Sequence, residues 1–298
     1  MKNILVSGLI TIETTAKIEN FPVNYSPVDY QFFGIGSTVS GVGFNVAKAI
    51  KTLGGNPVLL SITGNDFFND IIKGELKKIN LDDKYILPLL TGTSQSVILY
   101  NEAKRKIILD LKNAQETKYP AAYFNKVINQ IDIAVLCNIN FSRDMLKTAK
   151  DAGKIIASDV HVIHDINDEY NRDFLFYSDI IFLSNEMIQG RETDFIKELA
   201  AEFNHTIIVI GMGGNGLLLY DRKSNEIKHY PAVKTRNVVN TIGAGDALFS
   251  SFIYFYAKTN SVHYSIEKAV LFASYKIGEK GAAEGFLREK ELLELKTQ

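Results

Sequence analysis

Between residues 121 and 220, short runs of Ile, Val, Leu and Phe alternate with longer stretches of helical period. No other feature of the chain narrows its fold as much. The apolar runs stand at 133–137, 155–158, 180–183, 207–210 and 217–220, with helical stretches near 121–129, 143–152 and 194–203. A run that is apolar at every position marks a strand buried on both faces, because a strand with one face in water alternates. Parallel neighbours are reached only through a crossover, and a helix lying on the sheet supplies it. The same grammar occurs earlier in the chain. Residues 4–10 and 58–62 read as strands and 67–78 as a helix. Ser40-Gly41-Val42-Gly43-Phe44-Asn45-Val46-Ala47 opens a helix that Gly54-Gly55 ends near Leu53. The expected fold class is α/β, a doubly wound and mainly parallel sheet with helices on both faces.

Two stretches break the alternation. Residues 14–38 carry Pro22, Pro27, Tyr30, Phe32 and Phe33 among polar residues, without a helical period. Residues 96–100 and 106–109 flank 101–105 as a β-hairpin would. The division predicted is an α/β domain of residues 1–13, 39–91 and 112–298, with a β-rich lid from 14–38 and 92–111. Exposed strand edges on such a lid predict a homodimer formed through it.

Composition sets the class of partner. The chain has 298 residues, 46 % of them hydrophobic, enough for a large core. Lys and Arg number 33 against 34 Asp and Glu, interspersed, for a formal net charge of -1. That balance offers no electrostatic case for nucleic acid or an anionic membrane, and favours a small molecule. The richest apolar stretch, 247–257, lies between Asp246 and Lys258, far short of the roughly 20 residues of a membrane span. Residues 1–6 lack a signal-peptide pattern. Cys137 is the lone cysteine and sits in an apolar run, which suits a buried thiol in a reducing compartment. A soluble, cytoplasmic protein is expected.

The chemistry concentrates at Val238-Val239-Asn240-Thr241-Ile242-Gly243-Ala244-Gly245-Asp246, read as a β-type run, a glycine turn and the start of an apolar helix. Free N–H groups and a positive dipole end make such a helix start an anion site. Asp246 there is either a general base beside a transferring phosphoryl group or an acid that merely favours the helix dipole. Glu13 is either a ligand-gripping carboxylate at a strand end or a solvated loop residue. Gly41 and Gly43 either admit a ligand beside Asn45 or serve packing. Asp159-Val160-His161-Val162-Ile163-His164-Asp165 lacks a complete transition-metal set; Asp159 and Glu186, at strand ends, suit Mg²⁺ held through water. The glycines of 211–216 fail as a dinucleotide fingerprint because a strand follows; they form a hairpin turn or a turn over a nucleotide.

Asn240-Thr241-Ile242-Gly243-Ala244-Gly245-Asp246 with Phe249 resembles the C-terminal signature of the PfkB or ribokinase-like carbohydrate kinases. Gly41-x-Gly43-x-Asn45-x-Ala47, with Gly54-Gly55 and Gly64-x-Asp66, is similar to that family's N-terminal signature. The resemblance covers essentially the whole chain. It implies transfer of the γ-phosphoryl of ATP, with Mg²⁺, to a hydroxyl of a sugar, or of a nucleoside if Phe32, Phe33, Phe44 or Tyr100 stacks a base. By the resemblance, Asp246 matches the catalytic base and Gly243, Ala244 and Gly245 the anion hole. Glu13, Gly41, Val42, Gly43, Asn45 and Tyr100 fall on the substrate side. Asn185, Gly213, Gly216, Thr241 and Ser274 fall near the nucleotide. Asn240 stands where many members have an Asp belonging to a monovalent-cation site, so K⁺ is expected to activate weakly or not at all. Ile188 stands where the family's Asn-x-x-Glu has its Glu, leaving Glu186 or Asp159 for the metal. A non-catalytic sensor of sugar or nucleotide is the rival from another class; a mere binder has no use for Asp246.

Overall fold

The computed structural model describes residues 1–30, 32–101 and 106–295. In chain order the elements begin with β1 (Ile4–Ser7), β2 (Thr11–Lys17), β3 (Ile35–Ser40), α1 (Val42–Thr52), β4 (Val58–Gly64) and α2 (Phe67–Lys78). They continue with β5 (Ile86–Leu90), β6 (Gln95–Tyr100), β7 (Lys106–Asp110), α3 (Ala121–Val127), β8 (Ile133–Leu136), α4 (Asn140–Asp151) and β9 (Ile155–Val162). The chain ends with α5 (Arg172–Tyr177), β10 (Ile180–Ser184), α6 (Glu192–Glu202), β11 (Ile207–Gly211), β12 (Leu217–Asp221), β13 (Glu226–Tyr230), α7 (Ala244–Thr259), α8 (Val262–Lys276) and α9 (Glu289–Leu293).

Among the described residues nine strands form the large sheet, in the order β13-β12-β11-β10-β9-β8-β1-β4-β5. From β5 to β11 neighbours run parallel, and β12 and β13 return antiparallel at one edge. Successive side chains of the central strands feed two cores. Ile4, Val6, Ile133 and Val135 meet α1, α7 and α8, while Leu5, Ala134 and Leu136 meet α3, α4 and α6. Both faces are covered, which is why these strands are apolar at every position. Helix α7 is apolar nearly all round because it packs against α1 and α8 as well as the sheet. Phe249, Phe252 and Phe255 are fully buried there, each worth about 1.5–3 kcal/mol of transfer free energy.

The remaining four strands form a separate sheet, β3-β2-β6-β7, in which β2 and β6 are parallel. Its register pairs Glu13 with Thr38 and Ser96, Thr15 with Ile98, and Ile98 with Ile108. Paired residues share a face, so Glu13, Thr15, Ile98 and Tyr100 look one way and Val97, Leu99, Ile107 and Leu109 the other. Ile98 packs on Ile242 and Ala282 of the body, so the first face is the one that meets it. Both β-rich stretches expected from sequence join in this sheet. The hairpin turn at 101–105 lies, but for Asn101, outside the described residues.

Several boundaries differ from the sequence reading. The strand expected at 4–10 stops at Ser7, and Glu13 lies inside a strand of the small sheet rather than beyond a strand of the large one. Val238 and Val239 are not strand: both are exposed, and the Val239 and Asn240 N–H groups donate to the Ile277 carbonyl at the end of α8 (2.8 and 3.0 Å). A two-valine run carries β propensity, but among the described residues no strand pairs with it. β5 contains Pro88, which argues against a central strand and is accepted at the sheet edge, where the missing N–H goes unneeded. β9 runs four residues further than 155–158, through a bulge at which His161 adopts φ 58°. The bulge leaves the His161 ring beside Asp159, with its Nδ1 3.8 Å from Asp159 Oδ2. Among the described residues no helix is long and apolar enough to cross a membrane.

Candidate active site

The α1 opening explains its own glycines. Gly41 has φ 99°, and a Cβ on it would lie 2.5 Å from the Leu9 carbonyl oxygen. A Cβ on Gly43 would lie 2.4–2.7 Å from the backbone of Gly8. What approaches the helix start at these two glycines is the chain itself, crossing from β1 to β2. Val42 is half-buried against the core. The crossing fixes Asn45, whose N–H donates to the Gly41 carbonyl (2.8 Å) and whose side chain points across to α7. There Asn45 Nδ2 donates to Asp246 Oδ2 at 2.7 Å. The Ser40 hydroxyl stands between Glu13 Oε2 (3.0 Å) and Asn45 Oδ1 (3.3 Å). Glu13, Ser40, Asn45 and Asp246 thus form one buried polar chain, drawn from β2, β3, α1 and α7.

The turn before α7 is the other half. Gly243 sits at φ 74°, and a Cβ there would be 2.6 Å from the Ala282 carbonyl oxygen. The Asn240 side chain ties the turn by accepting from the Ile242 N–H (2.8 Å) and donating to the Lys280 carbonyl (3.1 Å). The Ala244 N–H is taken by the Thr241 carbonyl (3.1 Å), so the anion hole expected at Gly243, Ala244 and Gly245 loses one of its three donors. The N–H groups of Gly243, Gly245 and Asp246 make no hydrogen bond within the described residues. They are the donors that a helix start leaves for an anion.

Burial raises the Asp246 carboxyl above the usual carboxylate range, against the pull of Asn45, His161 and Lys276; the Asp159 carboxylate adds to the rise. Glu13 is raised for the same first reason, against the pull of Ser40, Lys276 and the Ala282 backbone, and its buried Oε1 makes no hydrogen bond among the described residues. A buried carboxylate oxygen without a donor costs free energy unless something outside the chain supplies one, and an alcohol O–H does. The Lys276 ammonium, fully buried at the end of α8, donates to the Ile242 carbonyl.

Asp159 lies beside the turn: a Cβ on Gly245 would be 3.8 Å from its Oδ2, while its Oδ1 accepts from the His161 N–H (2.9 Å). Glu186 is exposed just beyond β10. Among the described residues no group of three or more His, Cys, Asp or Glu is arranged to hold a metal. One carboxylate beside three unengaged N–H groups still fits Mg²⁺, which keeps most of its waters. Asn185 donates through Nδ2 to Glu192 Oε1 at 2.7 Å, a carboxylate seven residues on that spacing alone did not single out. The 211–216 glycines form the β11–β12 hairpin, with Gly213 and Gly216 at φ 56° and 86° and open space at Gly213. The Ser274 hydroxyl donates to the Val233 carbonyl (2.7 Å) and accepts from the Thr235 N–H (3.2 Å), so it clamps the 233–235 segment rather than standing free. Thr241 is exposed on the turn, and Tyr100 is half-buried on the site side of the small sheet. Phe44 is fully buried in the core and cannot stack a base, while Phe32 and Phe33 are almost fully exposed.

Ser40 and Lys276 were missed by sequence reasoning. Lys276 carried a signal: on α8 it continues the buried stripe of Ala269 and Phe272 at helical spacing, where a charge is out of place.

The family model of the pfkB family carbohydrate kinases matches residues 1–289. A deoxyribokinase from Salmonella typhi is 23 % identical over 299 residues, 95 % of each chain. Among solved structures, a microbiome-derived acarbose kinase superposes with a TM-score of 0.86 at 19 % identity over 99 % of both chains. An Arabidopsis thaliana ribokinase complexed with ribose and ATP superposes at 0.78 and 17 % identity, over 98 % of this chain and 97 % of that one. The chain belongs to the pfkB family of carbohydrate kinases. It is a sugar or nucleoside kinase of that ATP-using family.

Proposed function

We propose that the protein transfers the γ-phosphoryl group of ATP to a hydroxyl of a sugar or sugar derivative. The observation that carries this reading is the position of Asp246: a buried carboxylate in the first turn of α7, adjoining three unengaged N–H groups and held by Asn45. In the reaction Asp246 takes the proton of the acceptor hydroxyl as the hydroxyl oxygen attacks the γ-phosphorus, and the bond from that phosphorus to the β–γ bridging oxygen breaks to release ADP. The Gly243, Gly245 and Asp246 N–H groups hold the transferring phosphoryl oxygens. Glu13, with one free buried oxygen, accepts from a second substrate hydroxyl and fixes the first against Asp246. The small sheet closes over this pair and excludes competing water. Mg²⁺, when bound, neutralises charge developing on the phosphates, and Asp159, with Glu186 as its partner, is the carboxylate we assign to its waters. Asn185 and the 213–216 turn are assigned to the nucleotide. The division into an α/β body and a lid is part of the same proposal.

The test is ATP consumption with Mg²⁺ against pentoses, hexoses, their phosphates and nucleosides. Turnover on the sugars supports this reading. Turnover confined to nucleosides moves it to a nucleoside kinase, with Tyr100 the aromatic that the sheet register puts on the Glu13 face. ATP binding without turnover on any of them favours the sensor.

Removing the Asn45 amide tests the polar chain. The Asn45 hydrogen bond holds the Asp246 carboxyl down, so Asn45→Ala raises it further and moves the acid limb of kcat/KM to higher pH. The expected loss at neutral pH is ~10–100-fold, the worth of one hydrogen bond to a charged group. An unmoved acid limb would separate Asn45 from the base.

The homodimer through the lid stands as a proposal as well. Val97, Ile107 and Leu109 are exposed on the face turned away from Glu13, and β3 and β7 are open edges. Val97→Glu with Leu109→Glu is expected to convert a dimer to a monomer by light scattering; a wild-type monomer at working concentration would remove the idea.

A further inference from the structure

Lysine is the residue least expected where Lys276 stands. It closes α8, it is fully buried, and its ammonium donates to the carbonyl of Ile242. That carbonyl has a specific place in the site. Were α7 extended backwards by one residue, the Ile242 oxygen would accept from the Asp246 N–H four residues on. It turns to Lys276 instead, and the Asp246 N–H is left without a partner in the described chain. The acceptor withheld from the helix and the donor released to the site are two ends of one arrangement.

The charges around the ammonium fit that role. The negative charges of Asp246 from α7, Glu13 from β2, and Glu284 and Glu279 from the segment after α8 act on it through space, with Glu279 itself paired to Arg236. Burial pulls the ammonium down to about 8, against the support of these four carboxylates, so most of it is charged at neutral pH. No carboxylate forms an ion pair with it within the described chain, and its hydrogen bond goes to a backbone oxygen. A lysine kept only for packing would be replaced by Leu or Met without leaving a charge to house.

Taking phosphoryl transfer at Asp246 as the reaction, we propose that Lys276 is a positioning residue, a built-in monovalent cation. Its ammonium holds the Ile242 carbonyl and keeps the 243–246 N–H groups turned toward the transferring phosphoryl group, so that turnover needs no added monovalent cation. The Asn240 amide and the Ala282 backbone brace the same turn from its other sides. The charge itself comes from Lys276.

The experiment compares kcat and acceptor KM of the wild type and of Lys276→Met in potassium, ammonium and tetramethylammonium chloride, with Mg²⁺ and ATP in excess. Wild-type kcat is expected to agree within about twofold across the three salts. Lys276→Met is expected to lose ~10-fold or more in kcat, short of the 10²–10³ lost with an anion-hole donor itself. Acceptor KM changes little, and potassium or ammonium, but not the bulky tetramethylammonium, restores part of the loss. Strong activation of the wild type by potassium overturns the inference, as does a folded Lys276→Met with wild-type kcat or a deficit that no salt relieves. Should Lys276→Met not fold, the wild-type salt series and Lys276→Arg, which keeps the charge and is expected to keep salt-independent turnover, decide the matter. A wild type that phosphorylates none of the acceptors in any salt fails the proposed function instead, and is told apart by that silence.

Discussion

Asp246→Asn is expected to lower turnover by ~10²–10⁴, the usual worth of a positioned general base, while ATP binding changes far less. The substitution is nearly isosteric, and the Asn oxygen can still accept from Asn45 Nδ2, so the polar chain to Ser40 and Glu13 keeps its shape. What is lost is the capacity to take a proton. The raised carboxyl pKa gives a second signature: the wild-type rate should fall as pH drops through it, an acid limb above the ordinary carboxylate range that the variant lacks. Stability should move the other way. A buried acid whose folded pKa is raised penalises the folded state at every pH above its unfolded pKa, and a neutral amide removes that penalty. The variant is therefore expected to melt no lower than the wild type at neutral pH. Steady-state kinetics and calorimetry on the two proteins check all three points, and near-normal turnover of the variant would sink the mechanism.

Gly43→Ala is expected to cost ~1–3 kcal/mol of stability, the range for forcing one carbon into a packed site. It should remove most of the activity as well. The added carbon would meet the carbon, oxygen and Cα of Gly8 at 2.4–2.7 Å, and backbone cannot rotate aside as a long side chain can. Relief requires α1 to shift off the β1–β2 crossing, and Asn45, two residues on, shifts with it. Gly74→Ala is the matching control: it sits in α2 with nothing within 4 Å of the new carbon. There the substitution should raise stability by roughly 0.5–1 kcal/mol through helix propensity and lost chain entropy. Thermal unfolding of the pair separates the two kinds of glycine. Equal melting temperatures for Gly43→Ala and the wild type would mean that the crossing is looser than its geometry implies.

Most of the large sheet was legible because burial on both faces leaves a local mark, a run with no polar position. β8, β10, β11 and β12 fall where their runs predicted. β13 (Glu-Ile-Lys-His-Tyr) left no such mark, since an edge strand carries polar residues on its open side. The run 238–239 carried the mark and is not a strand, because β propensity describes a residue's fit to a sheet and says nothing of whether a sheet is at hand.

The site divides in the same way. The glycine turn and Asp246 were readable because a helix start with free donors is built from consecutive residues, and Gly41, Gly43 and Asn45 because they open a single helix. What Gly41 and Gly43 accommodate was not readable, since Gly8 and Leu9 lie more than thirty positions away and only the fold lays them across α1. Nor was the chain Glu13–Ser40–Asn45–Asp246, whose members come from four elements. Lys276 reaches the Ile242 carbonyl across thirty-four residues, with its charge signalled in the helix stripe but its target hidden. The sequence by itself determined the elements and the local donor-and-acid turn, because periodicity and helix-terminus chemistry act over a few residues. Only the tertiary structure decided which carboxylate is held, which is left open and where the buried Lys276 ammonium points, because hydrogen bonds and packing act over a few ångströms irrespective of position in the chain.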